Sequence, residues 1–136
     1  MLPLHKQPIL FAKFSLTPLE YFKLTSATIP SLDVEFKSLQ DVIDFFTQLE
    51  TAFAGVDEKA FNACAEKSFE MTVAGKEIKM SGFADYAHGF MVPHDYFHVM
   101  TIYTLLRSRG FALGKGVFVG SFMSETLGGD FAALRK

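Results

Sequence analysis

The sequence predicts a mainly helical fold, all-α apart from one small β-hairpin. Apolar residues recur at helical spacing over residues 39–54, and a second long helical pattern runs over 83–109. Between them, residues that alternate in polarity flank a glycine turn, which is typical of two paired strands. These three observations favour helices as the main elements, with a single hairpin between them.

The composition sets limits on the class of protein. At 136 residues the chain has the length of one domain. Its 13 basic and 15 acidic residues leave a net charge of −2, so we expect no nucleic-acid partner, which would favour a basic excess. Hydrophobic residues make up 49%, which excludes intrinsic disorder. Sixteen Phe and no Trp indicate apolar surface for an interface as well as a core.

The single cysteine and the first residues bear on location. Cys64 has no partner for a disulfide, and its simplest interpretation is a small buried hydrophobe rather than a nucleophile. The start of the chain lacks the charged and apolar regions of a signal peptide. No apolar run has the roughly 18 residues that a membrane span needs. We therefore expect a cytoplasmic protein without a membrane partner.

The first half of the chain reads as two helices and a connection. Residues 2–26 predict a helix disturbed by Pro8 and Pro18, since each proline removes a backbone donor. Residues 27–37 predict an extended connection. Ser38 and the acidic residue three positions later resemble a capping box at the start of the helix over 39–54. Gly55 is predicted to end that helix.

The hairpin and a short helix occupy the middle of the chain. Residues 57–65 predict the short helix, and the two strands are expected at 69–73 and 77–80. Ser81 is expected to cap the next helix.

The last helix and the tail complete the prediction. The helix over 83–109 should end at Gly110, and Pro93 should kink it near residues 89–92. The tail over 111–136 is expected to be mostly loop, with a last helical turn near residues 131–134. Three long helices cover each other poorly, so a fourth element is expected from the tail or from a second copy of the chain.

Two histidines carry the strongest chemical signal. His94 and His98 are one helical turn apart and both fall on the predicted core-facing stripe, which also takes in Phe97. Two such imidazoles can reach one metal ion, at about 2.0–2.1 Å from each nitrogen. The alternative is a pair of structural core histidines that bond neighbouring oxygens. A third metal ligand is sought at His5 or Gln7.

Other residues of the same helix are assigned away from this stripe. His88 lies roughly 120° from His94 around the helix and is expected to face solvent. Tyr96 and Tyr103 also point elsewhere, which makes them poor acid–base candidates. Asp95 is expected to orient an imidazole only if the kink at Pro93 turns it inward.

Several segments of the chain together form a recognisable pattern: residues 1–7, 38–41, the hairpin with Gly82, 93–98, 103–107, Gly110, 113–115 and 118–120. In these segments the chain resembles an uncharacterised family of bacterial and fungal proteins within the DinB/YfiT-like superfamily. The most specific part of the resemblance is the histidine helix followed by Leu-Gly-Lys, and the first half of the chain matches loosely.

The resemblance implies a fold. It implies a four-helix bundle whose first helix is missing from this chain, so that a partner chain, most simply in a homodimer, would complete it. The bundle domain would cover residues 1–120, truncated at its N-terminus, and residues 121–136 would form a glycine-containing tail.

The resemblance also implies a chemistry. Many members of the superfamily hold a divalent metal through three histidines, of which His94 and His98 match the later pair and His5 or Gln7 falls near the remaining one. The implied function is a divalent-metal-dependent, thiol-transferase-like enzyme using zinc, nickel or iron. The alternative is a non-catalytic helical module that dimerises or binds an unknown small molecule.

Overall fold

A computed structural model describes residues 2–131 of the chain. It confirms a mostly helical protein with one two-stranded antiparallel sheet. The chain divides into two compact units, Met1–Thr101 and Ile102–Lys136. The first unit begins with a 3-10 turn, Leu4–Lys6. Within the described residues, its helices and strands are α1 Gln7–Tyr21, α2 Leu39–Ala54, α3 Glu58–Asn62, β1 Phe69–Val73, β2 Lys76–Met80 and α4 Phe83–Tyr86. Helix α5, Val92–Ser108, begins in the first unit and ends in the second.

Helix α1 is the central element of the first unit. It has eight buried residues, and its apolar residues lie on all sides, as expected of a helix surrounded by protein. Pro8 stands in its first turn, where a missing N–H costs little, and Pro18 is accommodated close to its C-terminal end. The helix is shorter than the predicted 2–26 because Lys23 takes a φ of 52°, which stops helical propagation.

Helix α2 begins and ends as the sequence predicts. The Ser38 hydroxyl accepts from the Asp41 N–H, and the Asp41 carboxylate accepts from the N–H of Ser38, which closes the capping box. These backbone bonds, led by the one from Lys37, lower the pKa of Asp41. At the other end, a Cβ on Gly55 would lie 2.8 Å from the Thr25 hydroxyl, so a larger residue here would have to displace the Thr25 side chain.

The hairpin forms at the predicted place, with its second strand starting one residue early. Phe69 pairs with Met80 and Val73 with Lys76. The turn residues Ala74 and Gly75 have φ angles of 50° and 78°, which match a tight hairpin turn with two left-handed positions. Phe69 on β1 points into the core of the unit.

The long helical stretch after the hairpin contains a π-helical turn. Gly82, rather than the predicted Ser81, is the N-cap of α4. Residues Ala87–Met91 then form the π turn, in which the Val92 N–H donates to the Ala87 carbonyl. Pro93 follows directly, and because it has no N–H it cannot restore the α-helical pattern at this point. The irregularity therefore overlaps the place where a kink was predicted.

The core of the first unit is rich in phenylalanine. Phe69 and Phe83 are each 1% exposed, and their ring centroids lie 6.2 Å apart. Phe61 lies against Phe83 at 4.9 Å and Phe22 at 5.6 Å. Cys64 is buried in the same cluster, which agrees with its interpretation as a small core residue.

The second unit corrects the prediction that the tail is mostly loop. It contains α6, Lys115–Gly120, and α7, Glu125–Asp130. The Ser124 hydroxyl accepts from the N–H of Leu127 and caps α7, a local signal that outweighs the glycines of this segment. Gly110 ends the preceding helical stretch with a φ of 88°, as predicted. The last turn predicted at 131–134 lies outside the described residues except for residue 131.

Membrane-spanning segments were sought among the same residues. In the stretch 2–131 none of the helices has both the length and the apolar character needed to cross a bilayer.

Candidate functional site

Polar side chains from α1 and α5 meet inside the first unit. Helix α1 contributes Gln7, which is fully buried, and Ser15, which is 4% exposed. Helix α5 contributes His94, Asp95 and His98, and His98 is only 6% exposed. Buried polar groups of this kind need partners, because an unsatisfied group costs roughly 1–3 kcal/mol. Their hydrogen bonds therefore define how the site is arranged.

Gln7 fixes the protonation of the His98 ring. The Gln7 Nε2 group donates to the Leu2 carbonyl at 2.7 Å, which turns the Gln7 Oε1 atom toward His98. The His98 Nδ1 atom lies 2.6 Å from Gln7 Oε1. Because an amide oxygen only accepts, Nδ1 must carry the proton and donate it. In the neutral ring, the His98 Nε2 atom consequently presents a lone pair.

That lone pair faces His94. The two Nε2 atoms are 2.9 Å apart, and the ring centroids are 4.5 Å apart. Since His98 Nε2 is an acceptor, His94 Nε2 carries the hydrogen that joins the neutral pair. Burial lowers the pKa of both rings, and the neighbouring His94 lowers that of His98 further. The pair is therefore held neutral, and each neutral imidazole keeps one ring nitrogen with a lone pair: Nε2 in His98 and Nδ1 in His94.

Aromatic rings enclose the outer histidine. Phe14 meets His94 edge-on at 4.4 Å, and Phe90 stacks on it at 5.2 Å with an interplanar angle of 24°. Tyr86 lies 5.5 Å from Phe90 and donates its hydroxyl to the Phe14 carbonyl at 2.8 Å. Burial raises the pKa of Tyr86 and keeps its hydroxyl protonated.

The π turn explains why these rings form one row. Tyr86, Phe90, His94 and His98 are each four residues apart, a spacing that advances about 40° around an ideal α-helix at every step. The wider π turn rotates less per residue and partly cancels this drift. The predicted stripe was wrong at Phe97, which is 57% exposed although its ring lies 5.3 Å from that of His98. The π turn precedes His94 and does not change this relation: on the regular helix α5, Phe97 lies about 60° around from His94, at the edge of the predicted stripe, where the side chain reaches solvent.

Asp95 is turned inward, toward Ser15 and not toward an imidazole. The Ser15 hydroxyl donates to Asp95 Oδ2 at 2.5 Å, and among residues 2–131 no partner reaches Asp95 Oδ1. Burial raises the pKa of Asp95 to about 6, and the bond from Ser15 only partly opposes that rise. The ionised form of Asp95 therefore lowers the stability of the folded protein.

Asp95→Asn is expected to stabilise the protein at pH 8 and to change it little at pH 4. The pKa of Asp95 in the folded protein lies above the ordinary value of 3.8, so folding favours the protonated carboxyl. Its contribution to the free energy of unfolding is therefore favourable at low pH and is lost as the pH rises through about 6. Allowing for its partial exposure, we expect a gain of about 1 kcal/mol at pH 8. Urea unfolding of both proteins from pH 4 to 8 measures it, and an unchanged difference across that range would contradict the assignment.

The structure separates the two candidates for a third metal ligand. His5 is exposed and lies in the 3-10 turn before α1, whereas Gln7 contacts His98 directly. Across residues 2–131, no three His, Cys, Asp or Glu side chains are placed to hold one metal ion. His88 is exposed, as expected. The sequence did not predict Ser15 in the site, although a lone polar residue at a buried helix position is a usable signal.

Comparison with known proteins identifies a family match but no named relative. The sequence model of a family described as a domain of unknown function (DUF1993) matches residues 1–119. No curated protein matches the chain, and no solved structure matches it either.

Proposed function

Since the chain belongs to the family of domains of unknown function DUF1993, we propose its function from the site itself. We propose that His94 and His98 form a two-imidazole site for a divalent transition metal in an enzyme of the DinB/YfiT-like type. The observation that carries this proposal is the pair of Nε2 atoms 2.9 Å apart, with His98 held in one tautomer by Gln7.

The separation of the two nitrogens suits a shared ion. Two imidazole nitrogens that share one metal ion, each about 2.05 Å from it, lie roughly 3 Å apart, so the 2.9 Å between the two Nε2 atoms is compatible with a shared divalent ion such as zinc, nickel or iron. Binding of an ion by both Nε2 atoms would require the His94 ring to carry its hydrogen on Nδ1 instead of Nε2, which leaves both imidazoles neutral.

The surrounding residues support this assignment by orienting and shielding the pair. A ligating histidine usually donates its other N–H to an oxygen, and the Gln7 carbonyl accepts that proton from His98. Phe14 and Phe90 cover the His94 ring with apolar surface. A bound divalent metal would lower the pKa of a coordinated water or thiol and supply a nucleophile near neutral pH. Since no third His, Cys, Asp or Glu among residues 2–131 is placed beside the pair, water and substrate groups would fill the remaining coordination positions.

Metal analysis of the purified, tag-free protein tests the proposal. We expect close to one equivalent of a transition metal per chain by mass spectrometry, and less than one tenth of that in His98→Ala. The matched controls are His88→Ala, on the same helical stretch but exposed, and His5→Ala, in the exposed turn before α1. Both controls should keep the metal.

Two results would count against this function. A metal-free protein that gains no thermal stability from added nickel, iron or zinc would leave the histidines as a structural pair. Equal metal content in wild type and His98→Ala would move the site elsewhere in the chain.

A second candidate, a non-catalytic dimerising module, is favoured by the outer face of α5. In the 17 residues of this helix only His98 is buried, while Phe97 is 57% and Met100 42% exposed. We propose that a second copy covers this face and completes a four-helix bundle. Light scattering should then give twice the chain mass, and Met100→Lys should give the single-chain mass. A single-chain mass for the wild type would contradict it.

A further inference from the structure

We propose that a cavity between the end of β2 and the π turn binds a small organic cation, an ammonium group on a short apolar body. The cavity has a volume of about 300 Å³, which lies at the lower end of the range for small-molecule sites. Its walls include Met80, Ser81, Asp85, Tyr86, Gly89 and Phe90. The inference rests on these walls and is independent of metal binding.

The side chains of the cavity favour a positive charge. Phe90 supplies partly exposed aromatic surface, Tyr86 lies behind it in the wall at 4% exposure, and Asp85 supplies a carboxylate at the exposed rim. None of the lining residues is Lys or Arg. A cation beside aromatic rings and a carboxylate is attracted by both, whereas an anion would meet the charge of Asp85 without a counter-charge. The apolar part of the ligand would lie against Met80 and Phe90.

The start of α4 does not reverse this preference. A helix N-terminus attracts anions, but Asp85 stands in the first turn and offsets that partial charge. The Ala84 N–H at this terminus is not available to an anion, because it already donates to the Ala65 carbonyl at 2.8 Å. The carboxylate of Asp85 therefore remains the dominant charge at the rim.

The cavity also borders the histidine site. Phe90 forms part of the cavity wall, and its ring stacks on His94 at 5.2 Å. A ligand in the cavity is therefore separated from the histidine pair by one ring.

Amide NMR with benzylammonium as the probe tests the proposal. The full chain is titrated in the presence of EDTA, so the outcome does not depend on the metal site. We expect saturable shifts of the Gly82 and Gly89 amides, which both lie in the cavity wall. Benzyl alcohol and benzoate, the neutral and anionic counterparts, should bind at least fivefold more weakly. Absent shifts, or equal binding of benzyl alcohol, would overturn the proposal.

Two variants test separately the role of the Asp85 charge and the role of the open volume of the cavity. Asp85→Asn should weaken benzylammonium binding at least fivefold and leave benzyl alcohol binding unchanged. Gly89→Leu should abolish binding of both, since a Cβ at Gly89 meets no atom within 4 Å and the new side chain can grow into open space. Glu77→Gln, at an exposed acid on β2, is the matched control and should bind as the wild type does. Wild-type affinity in Asp85→Asn would refute the cation assignment.

Discussion

Phe83→Ala is expected to lower the free energy of unfolding by about 3–5 kcal/mol. Phe83 is 1% exposed, and its ring lies within 4.9–6.2 Å of the rings of Phe61, Phe22 and Phe69. Its removal takes away one side of three aromatic contacts and leaves a cavity that rigid neighbours cannot fill. Since a domain of this size is stable by roughly 5–15 kcal/mol, we expect partial unfolding near body temperature.

Urea denaturation followed by circular dichroism measures this change. Phe111→Ala is the matched control, because Phe111 is 60% exposed and its truncation should cost less than about 0.5 kcal/mol. Equal losses in the two variants would show that Phe83 does not lie in the core.

Gln7→Leu is expected to destabilise the protein by about 2–4 kcal/mol, the second largest effect. Leucine has a similar volume, so the loss reflects hydrogen bonds more than packing. The substitution leaves the His98 Nδ1–H without an acceptor and the Leu2 carbonyl without its donor. A buried donor without a partner costs roughly 1–3 kcal/mol by itself.

A double-mutant cycle with His98→Leu isolates the Gln7–His98 bond. In the His98→Leu variant, the Gln7→Leu change removes no hydrogen-bond partner from residue 98. The double variant should therefore lose less stability than the sum of the losses in the two single variants. We expect a coupling of about 1–2 kcal/mol, measured by urea unfolding at pH 8. The pair Gln40 and Asp44, hydrogen-bonded on the exposed face of α2, is the control cycle and should couple by less than about 0.5 kcal/mol. Additive losses for Gln7 and His98 would contradict a bond between them.

Local patterns were sufficient to predict α2 and the hairpin. The capping box at Ser38 and the glycine at position 55 mark the two ends of α2 in the sequence. The turn at Ala74 and Gly75 marks the hairpin. The tail was mistaken for loop because glycines lower the helical signal over α6 and α7, although Ser124 is a clear cap. Each of these outcomes depends on contacts within a few residues.

The candidate site was only half predictable, for a physical reason. The spacing of His94 and His98 defines one face of a helix, and the structure places their Nε2 atoms in contact. Gln7 lies 91 positions before His98, and Ser15 lies 80 positions before Asp95. Only the packing of α1 against α5 shows that the members of each pair are in contact. That Gln7 rather than His5 contacts His98 follows from one turn of backbone geometry at the start of α1, which spacing alone does not resolve.

The central claim is that Gln7 holds the proton of His98 on Nδ1, so that the two Nε2 atoms of the pair receive one metal ion. Long-range ¹H–¹⁵N NMR of the histidine rings, before and after one equivalent of zinc, a diamagnetic member of the proposed class of ions, tests it most directly. We predict His98 protonated at Nδ1 in the metal-free protein, and zinc-dependent shifts of the Nε2 signals of His94 and His98 with His5 and His88 unmoved. A proton on His98 Nε2, or zinc shifts confined to the exposed histidines, would contradict the account.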